Sequence, residues 1–148
     1  MQYPLLLGLA GHNYLVLRDS RNGIISELHG LATDVTTKKW KITGINRSDI
    51  LQAWEFTNQN EFITKKTYPG IVLFNGKETD AKEFWGKATL CKDIINQKNI
   101  PYPPLGFTLR KDTLNSNSVA YTLVTCMGLS TYHIGLITPG ETKNLLGK

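Results

Sequence analysis

The chain is poor in the residues that mark several protein classes, and each shortage narrows its function. It has two cysteines, Cys91 and Cys126, too few for the bridged framework of a small secreted domain. With histidines as dispersed as His12, His29 and His133, they show no metal-ligand spacing, and no metal site is expected. Both cysteines fall on apolar helix faces, so the expectation is two buried free thiols in a reducing compartment. Cys126, mid-helix among apolar neighbours, reads as core and not as a nucleophile. No stretch approaches the ~20 apolar residues that a membrane span needs. The opening segment Met1–Ala10 has a short apolar run, no basic leader, and flows into the strand that holds His12. It is not read as a signal peptide, and the expected location is cytoplasmic, or export by a route that uses no Sec signal. Gly70, Gly76, Gly86 and Gly106 make no phosphate-loop pattern, the acidic residues single out no pair for glycoside chemistry, and no cofactor is implied.

There is also no repeat, no low-complexity tract and no linker, so the 148 residues are expected to form a single domain, 1–148. The net charge of +5 weakly favours an anionic partner, nucleic acid or phospholipid headgroups. The basic residues are scattered, however. The tightest groups, Lys38-Lys39-Trp40-Lys41 and Lys65-Lys66, suit solvated strand faces better than a polybasic tract, and no nucleic-acid motif accompanies them.

What is present is a β-rich first half and two helices. Tyr14–Leu17 and Ile24–Leu28 flank Asn22-Gly23, the strongest short hairpin signal. Lys39–Thr43, Leu51–Phe56 and Ile71–Phe74 are further strand candidates, and Tyr132–Ile137 a last one. Ala81, Phe84, Trp85, Ala88, Cys91, Ile94 and Ile95 follow helical spacing and predict a helix over about 79–97. Asp80 followed by Glu83 resembles a capping box. Ile100–Gly106, rich in proline, reads as a rigid extended connector, and Asn144-Leu145-Leu146 as a tail that packs back on the body. The fold class expected is α+β, an antiparallel β-sheet packed against helices.

The most informative segment is Asn115-Ser116-Asn117-Ser118, which opens the apolar-periodic run Val119–Met127 ending at Gly128. It reads as a second helix with Asn/Ser capping its first amides and glycine after its end. A helix start also suits a nucleophile, because it carries partial positive charge. Far upstream, His12 lies in the strand-like Gly11–Leu17. If Asn22-Gly23 is a two-residue turn, His12 sits opposite Thr33 and Val16 opposite His29. The two histidines then share a face but stand ~13 Å apart, and only a longer loop or a bulge brings them together. Asp34 lies near the same end and is a second candidate for orienting His12. His133 is read as structural.

Gly11-His12-Asn13-Tyr14-Leu15-Val16-Leu17, then Glu27-Leu28-His29-Gly30, then Asn115-Ser116-Asn117-Ser118 resemble the circularly permuted papain-like hydrolases. That superfamily includes the NlpC-like peptidases and the lecithin:retinol-acyltransferase-like enzymes. The resemblance covers roughly residues 8–128 and implies a permuted papain-like arrangement, with a histidine strand first and a nucleophile at a later helix start. It implies Ser118 as nucleophile, His12 as general base and His29 as the orienting polar residue. Asn115 or Asn117 would support the Ser118 amide in holding an oxyanion, and Tyr14 would line the cleft. The departure is serine where the superfamily uses cysteine. A natural serine hydrolase, a cysteine replaced by serine, and a member that has lost catalysis all fit.

Three functions follow as expectations. The first is a hydrolase that cleaves an amide or ester (in a peptidoglycan fragment, a lipid or a protein) through an acyl-enzyme, as an effector or toxin module. The second is a catalytically inactive binding module of the same fold. The third is a ribonuclease-type toxin, in which His12, His29 and lysines would act on RNA.

Overall fold

The computed structural model describes residues 2–5, 10–64, 68–103, 114–130 and 140–147. The elements run β1 (Gln2–Leu5), β2 (Ala10–Arg18), β3 (Ile24–Thr33), β4 (Trp40–Lys41), β5 (Ile50–Phe56), α1 (Glu78–Gln97), β6 (Ile100–Pro101) and α2 (Ser116–Cys126). The strands form one sheet in the order β1-β2-β3-β5-β6, with β4 also pairing β3. Every pairing is antiparallel. The expected α+β class is therefore what the chain adopts. Tyr132–Ile137, His133, Lys65-Lys66 and Leu105-Gly106 lie outside the described residues.

Strand alternation sorts the sheet into two faces. Leu15, Leu28, Ala32, Leu51 and Ala53 pack with Ala88 and Ile95 of α1 and with Val119 and Leu123 of α2. Leu145 joins this core, so the tail packs back as the sequence suggests. The other face carries His12, Tyr14, Glu27 and His29, with a smaller cluster of Leu31, Phe56 and Phe62 beside them.

Two polar side chains complete the sheet where strands run out of partners. Asn96 of α1 accepts from Ala53 N (2.7 Å) and donates to Ala53 O (2.9 Å). Asn117 of α2 accepts from Asn13 N (2.7 Å) and donates to Gly11 O (3.0 Å). The second pair of bonds lies just beyond Tyr14↔His29, where the β2–β3 ladder ends. Gly30 makes room there: a Cβ would come within 2.7 Å of Val119 and 2.8 Å of the Ser116 backbone. The first turn of α2 therefore rests on β3 at a position where no larger residue fits without movement.

Four expectations are corrected. Asn22-Gly23 is not a two-residue turn. Asp19 N bonds Gly23 O, Asn22 N bonds Asp19 O, and Asn22 takes a left-handed φ of 64°. The longer loop, tied by Asp19 Oδ1 to the Arg21 and Gly23 amides, and a bulge at Leu17/Arg18 slide the ladder by two residues. His29 thus faces Tyr14 and not Val16. Ile71–Phe74 is not a strand; it is coil beside α1, with Val72 76% exposed. Helix α1 starts at Glu78 with Lys77 as an N-cap that makes no side-chain bond. Asp80 consequently lies inside the first turn, where its charge meets the helix dipole, and no capping box forms.

The fourth correction concerns the thiols, which are not free. Cys91 and Cys126 form a disulfide joining α1 to α2. Each lies on the face of its helix that meets the other, and packing had masked that pairing in the sequence pattern. A cross-link closing a loop of 35 residues stabilises chiefly by restricting the unfolded chain, by about 2–4 kcal/mol. The double variant Cys91→Ser/Cys126→Ser is expected to lower the urea unfolding free energy by about that amount. Thiol titration of the denatured wild type without reductant should find no free thiol; recovery of both would refute the bridge.

Candidate functional site

The hairpin shift places the two histidines diagonally on adjacent strands, within reach of each other. His12 Nε2 lies 3.2 Å from His29 Nδ1, and His29 Nε2 lies 3.1 Å from Glu27 Oε2. Glu27 and His29 share a face of β3 because they are two residues apart. Tyr14 stacks on His29 with ring centroids 4.4 Å apart, and the edge of Phe56 meets the same ring. All four polar members, His12, Tyr14, Glu27 and His29, are buried. The segment after β5 closes the cluster: Ile63 N donates to Glu27 Oε2 at 3.1 Å, and Thr64 N points to the same oxygen at 3.5 Å.

Burial sets the charges. It holds His12 well below the ordinary histidine value, with His29 adding to the effect. It lowers His29 as well, outweighing the upward pull of Glu27. Burial pushes Glu27 the other way, but the bonds from His29 and Thr64 prevail and its carboxyl stays below the usual range. The Tyr14 phenol, mainly through burial, is pushed up to about 12. At neutral pH the cluster is one carboxylate and two neutral imidazoles. Among the described residues, His12 Nδ1, Glu27 Oε1 and Thr64 Oγ1 are buried with no hydrogen-bond partner.

The Asn/Ser segment forms the start of α2. Asn115 is its N-cap: Oδ1 accepts from the amides of Asn117 (2.9 Å) and Ser118 (3.4 Å). Ser118 Oγ accepts from Asn115 N at 3.2 Å and donates to Gly140 O at 3.0 Å. Both partners of the capping box are thus in place. Ser118 is fully buried. One turn on, Thr122 accepts from Leu145 N, so this side of α2 faces the tail, whereas Val119 and Leu123 face the sheet. Among the described residues no hydrogen bond joins Ser118 to His12. The link between helix start and histidine strand is Asn117, whose amide bonds the backbone on both sides of His12.

The structure therefore brings His12, His29 and Tyr14 into one cluster and fixes Asn115, Asn117 and Ser118 at the adjoining helix start. Asp34 belongs to neither. Its carboxylate caps the turn after β3, bonding the Thr36 and Thr37 amides and Lys41. Lys41 is also paired with Asp49 at 2.8 Å, so it is spent on structure. Glu27 was missed by the sequence reading. The signal available was its spacing of two from His29 on a strand.

An open groove of about 550 Å³ lies at the other end of β2, lined by Leu15, Arg18, Leu73, Phe84 and Met127 among others. It contains none of the cluster residues. Among the described residues there is no group of three or more His, Cys, Asp or Glu placed to hold a metal ion, and no helix long and apolar enough to cross a membrane.

Family models, curated proteins and solved structures give no match to this chain.

The buried cluster sets a pH dependence of stability. Unfolded histidines titrate near 6.5, and both folded ones are lowered. Below that pH the unfolded chain takes up protons that the folded one refuses. Stability is therefore present above about 6.5 and falls as pH drops below it, by about 1.4 kcal/mol per pH unit for each such proton. Lowered Glu27 acts in the same direction nearer pH 4. Urea midpoints from pH 8 to 5 should fall along this course, with a shallower slope in His12→Gln/His29→Gln. A flat profile in the wild type would contradict the buried neutral pair.

Proposed function

We propose that this chain is a hydrolase that cleaves an ester or amide through a covalent acyl-enzyme, with His12 as general base and Ser118 as nucleophile. The observation that supports the reading is the contact of His12 with His29 at 3.2 Å, on a strand that Asn117 ties to the turn bearing Ser118. An oriented imidazole beside a helix N-terminus is the pairing acyl transfer uses. The residues are those that resemble the permuted papain-like hydrolases.

In the proposed reaction Ser118 Oγ leaves Gly140 O and bonds the substrate carbonyl carbon, while its proton passes to His12. The oxyanion would take the Ser118 amide in place of its long 3.4 Å contact with Asn115 Oδ1. His12 returns the proton to the departing alcohol or amine as the C–O or C–N bond breaks. Water, deprotonated by His12, then cleaves the acyl–Ser118 ester and releases the acid. The Cys91–Cys126 bridge replaces the expected free thiols, and disulfides persist in oxidising surroundings; the proposal therefore places the working protein outside a reducing cytoplasm.

A second reading has its own support. Ser118 Oγ already uses one lone pair and its proton, on Asn115 N and Gly140 O, which suits a helix cap in a non-catalytic binding module. A ribonuclease gains no support, because Lys41 is engaged by two carboxylates.

A fluorophosphonate probe and p-nitrophenyl acyl esters separate the readings. A hydrolase should carry the probe on Ser118, and His12→Ala should cut ester turnover by about 10²–10⁴ with the circular dichroism spectrum kept. Ser118→Ala should abolish labelling while losing about 1 kcal/mol of cap stability. An unlabelled wild type, together with a Ser118→Cys variant no more reactive to iodoacetamide than a free thiol, would establish the cap reading.

A further inference from the structure

We propose that Glu27 is the positioning residue of this site: acting through His29, it makes Nδ1 the base atom of His12. This rests on the hydrolase reading for its consequence, though not for its geometry. The Glu27 carboxylate has no proton to donate, so the 3.1 Å contact with His29 Nε2 requires that nitrogen to carry the hydrogen. In a neutral imidazole the other nitrogen is then an acceptor. The 3.2 Å contact between His29 Nδ1 and His12 Nε2 in turn requires the hydrogen on His12 Nε2. That leaves His12 Nδ1 with a lone pair. Among the described residues it is the His12 nitrogen that is buried and without a partner, an arrangement that costs stability and calls for a reason.

The reverse arrangement fails on the same geometry. An imidazolium at His29 would donate from Nδ1 to His12 Nε2. His12 Nδ1 would then hold a hydrogen with no acceptor, which is the more costly orphan. Burial of both rings opposes that charge as well. The relay is also held from outside, since the Ile63 and Thr64 amides bond the same Glu27 oxygen that His29 uses. The oxygen that orders the histidines therefore cannot swing away without breaking the strap over the cluster.

When His12 accepts a proton at Nδ1, the positive charge is shared along Nε2–H and stabilised by the buried carboxylate two rings away. Glu27 thus raises the basicity of an atom it does not touch. Its removal should slow the chemical step and leave substrate binding alone.

The test is the ring ¹⁵N spectrum of histidine-labelled protein at neutral pH. The expected result is a pyridine-like Nδ1 and pyrrole-like Nε2 on both His12 and His29. A pyrrole-like Nδ1 on His12, or an imidazolium at either position, overturns the proposal. This readout uses the wild type and needs no activity. Glu27→Gln keeps an oxygen for His29 but removes the charge, so it should retain the pattern and lower kcat at least 10-fold with KM unchanged. Equal kcat in Glu27→Gln also overturns the role. If the ¹⁵N pattern holds and no ester or amide is turned over, the hydrolase reading fails while the relay stands. If turnover persists with a protonated His12 Nδ1, the relay fails alone.

Discussion

A β-strand whose neighbour ends before it does leaves N–H and C=O groups that must be bonded or pay desolvation. Here an asparagine amide meets that need twice. Its donor and acceptor reproduce the pair of bonds that an adjacent strand residue offers. Asn96 does this for Ala53 on β5 and Asn117 for Gly11 and Asn13 on β2. Each comes from a helix, so the same bonds fix where the helices sit on the sheet. The α2 contact is the more consequential. It seals the end of the β2–β3 ladder, sets the first turn of α2 on Gly30, and holds the backbone on either side of His12.

That anchoring explains how one sheet carries two unlike faces. The helix-covered face is apolar and interdigitated. The opposite face buries a carboxylate and two imidazoles, which is unfavourable unless their hydrogen bonds are nearly complete. Three stacked or edge-on ring contacts and two strap amides supply most of the compensation. Among the described residues the atoms left over are three, His12 Nδ1, Glu27 Oε1 and Thr64 Oγ1. A cluster kept only for stability would be cheaper as leucine and phenylalanine, as the neighbouring Leu31 and Phe56 illustrate. The polar choice is the feature that the proposed relay through His12 Nδ1 would account for.

Much of this was legible in the sequence, and the failures are physical. Periodicity located α1 because its core residues, Ala88 and Ile95, repeat at helical spacing. The Asn/Ser segment and Gly128 marked both ends of α2, since caps are local chemistry; Gly128 indeed takes φ 74°. Residues that depend on register were less legible. Asn22-Gly23 signalled a turn, but Asp19 captured the Arg21 and Gly23 amides and lengthened it. That two-residue slide is what joins His12 to His29 and brings Tyr14 over the latter. Glu27 was invisible for the same reason, because its burial follows from the segment at Phe62–Thr64 folding over it. The disulfide was hidden because a cysteine on an apolar helix face looks the same whether it packs or pairs.

The two restraints on α2 act at opposite ends, and together they bear on Ser118. The disulfide fixes its C-terminal turn to α1, and Asn117 fixes its first turn to β2. A helix clamped at both ends cannot move Ser118 toward His12 by sliding or tilting. Any approach must come from rotation of the serine side chain or from movement of the segment at Gly140, which now accepts its proton. Of the two partners of Ser118 Oγ, Asn115 N belongs to the helix cap and travels with it. Gly140 O comes from the tail, 22 residues away. On the proposed hydrolase reading the resting serine is held by one bond that acyl transfer would keep and one it would have to release, and the difference between a cap and a nucleophile then turns on that single tail contact.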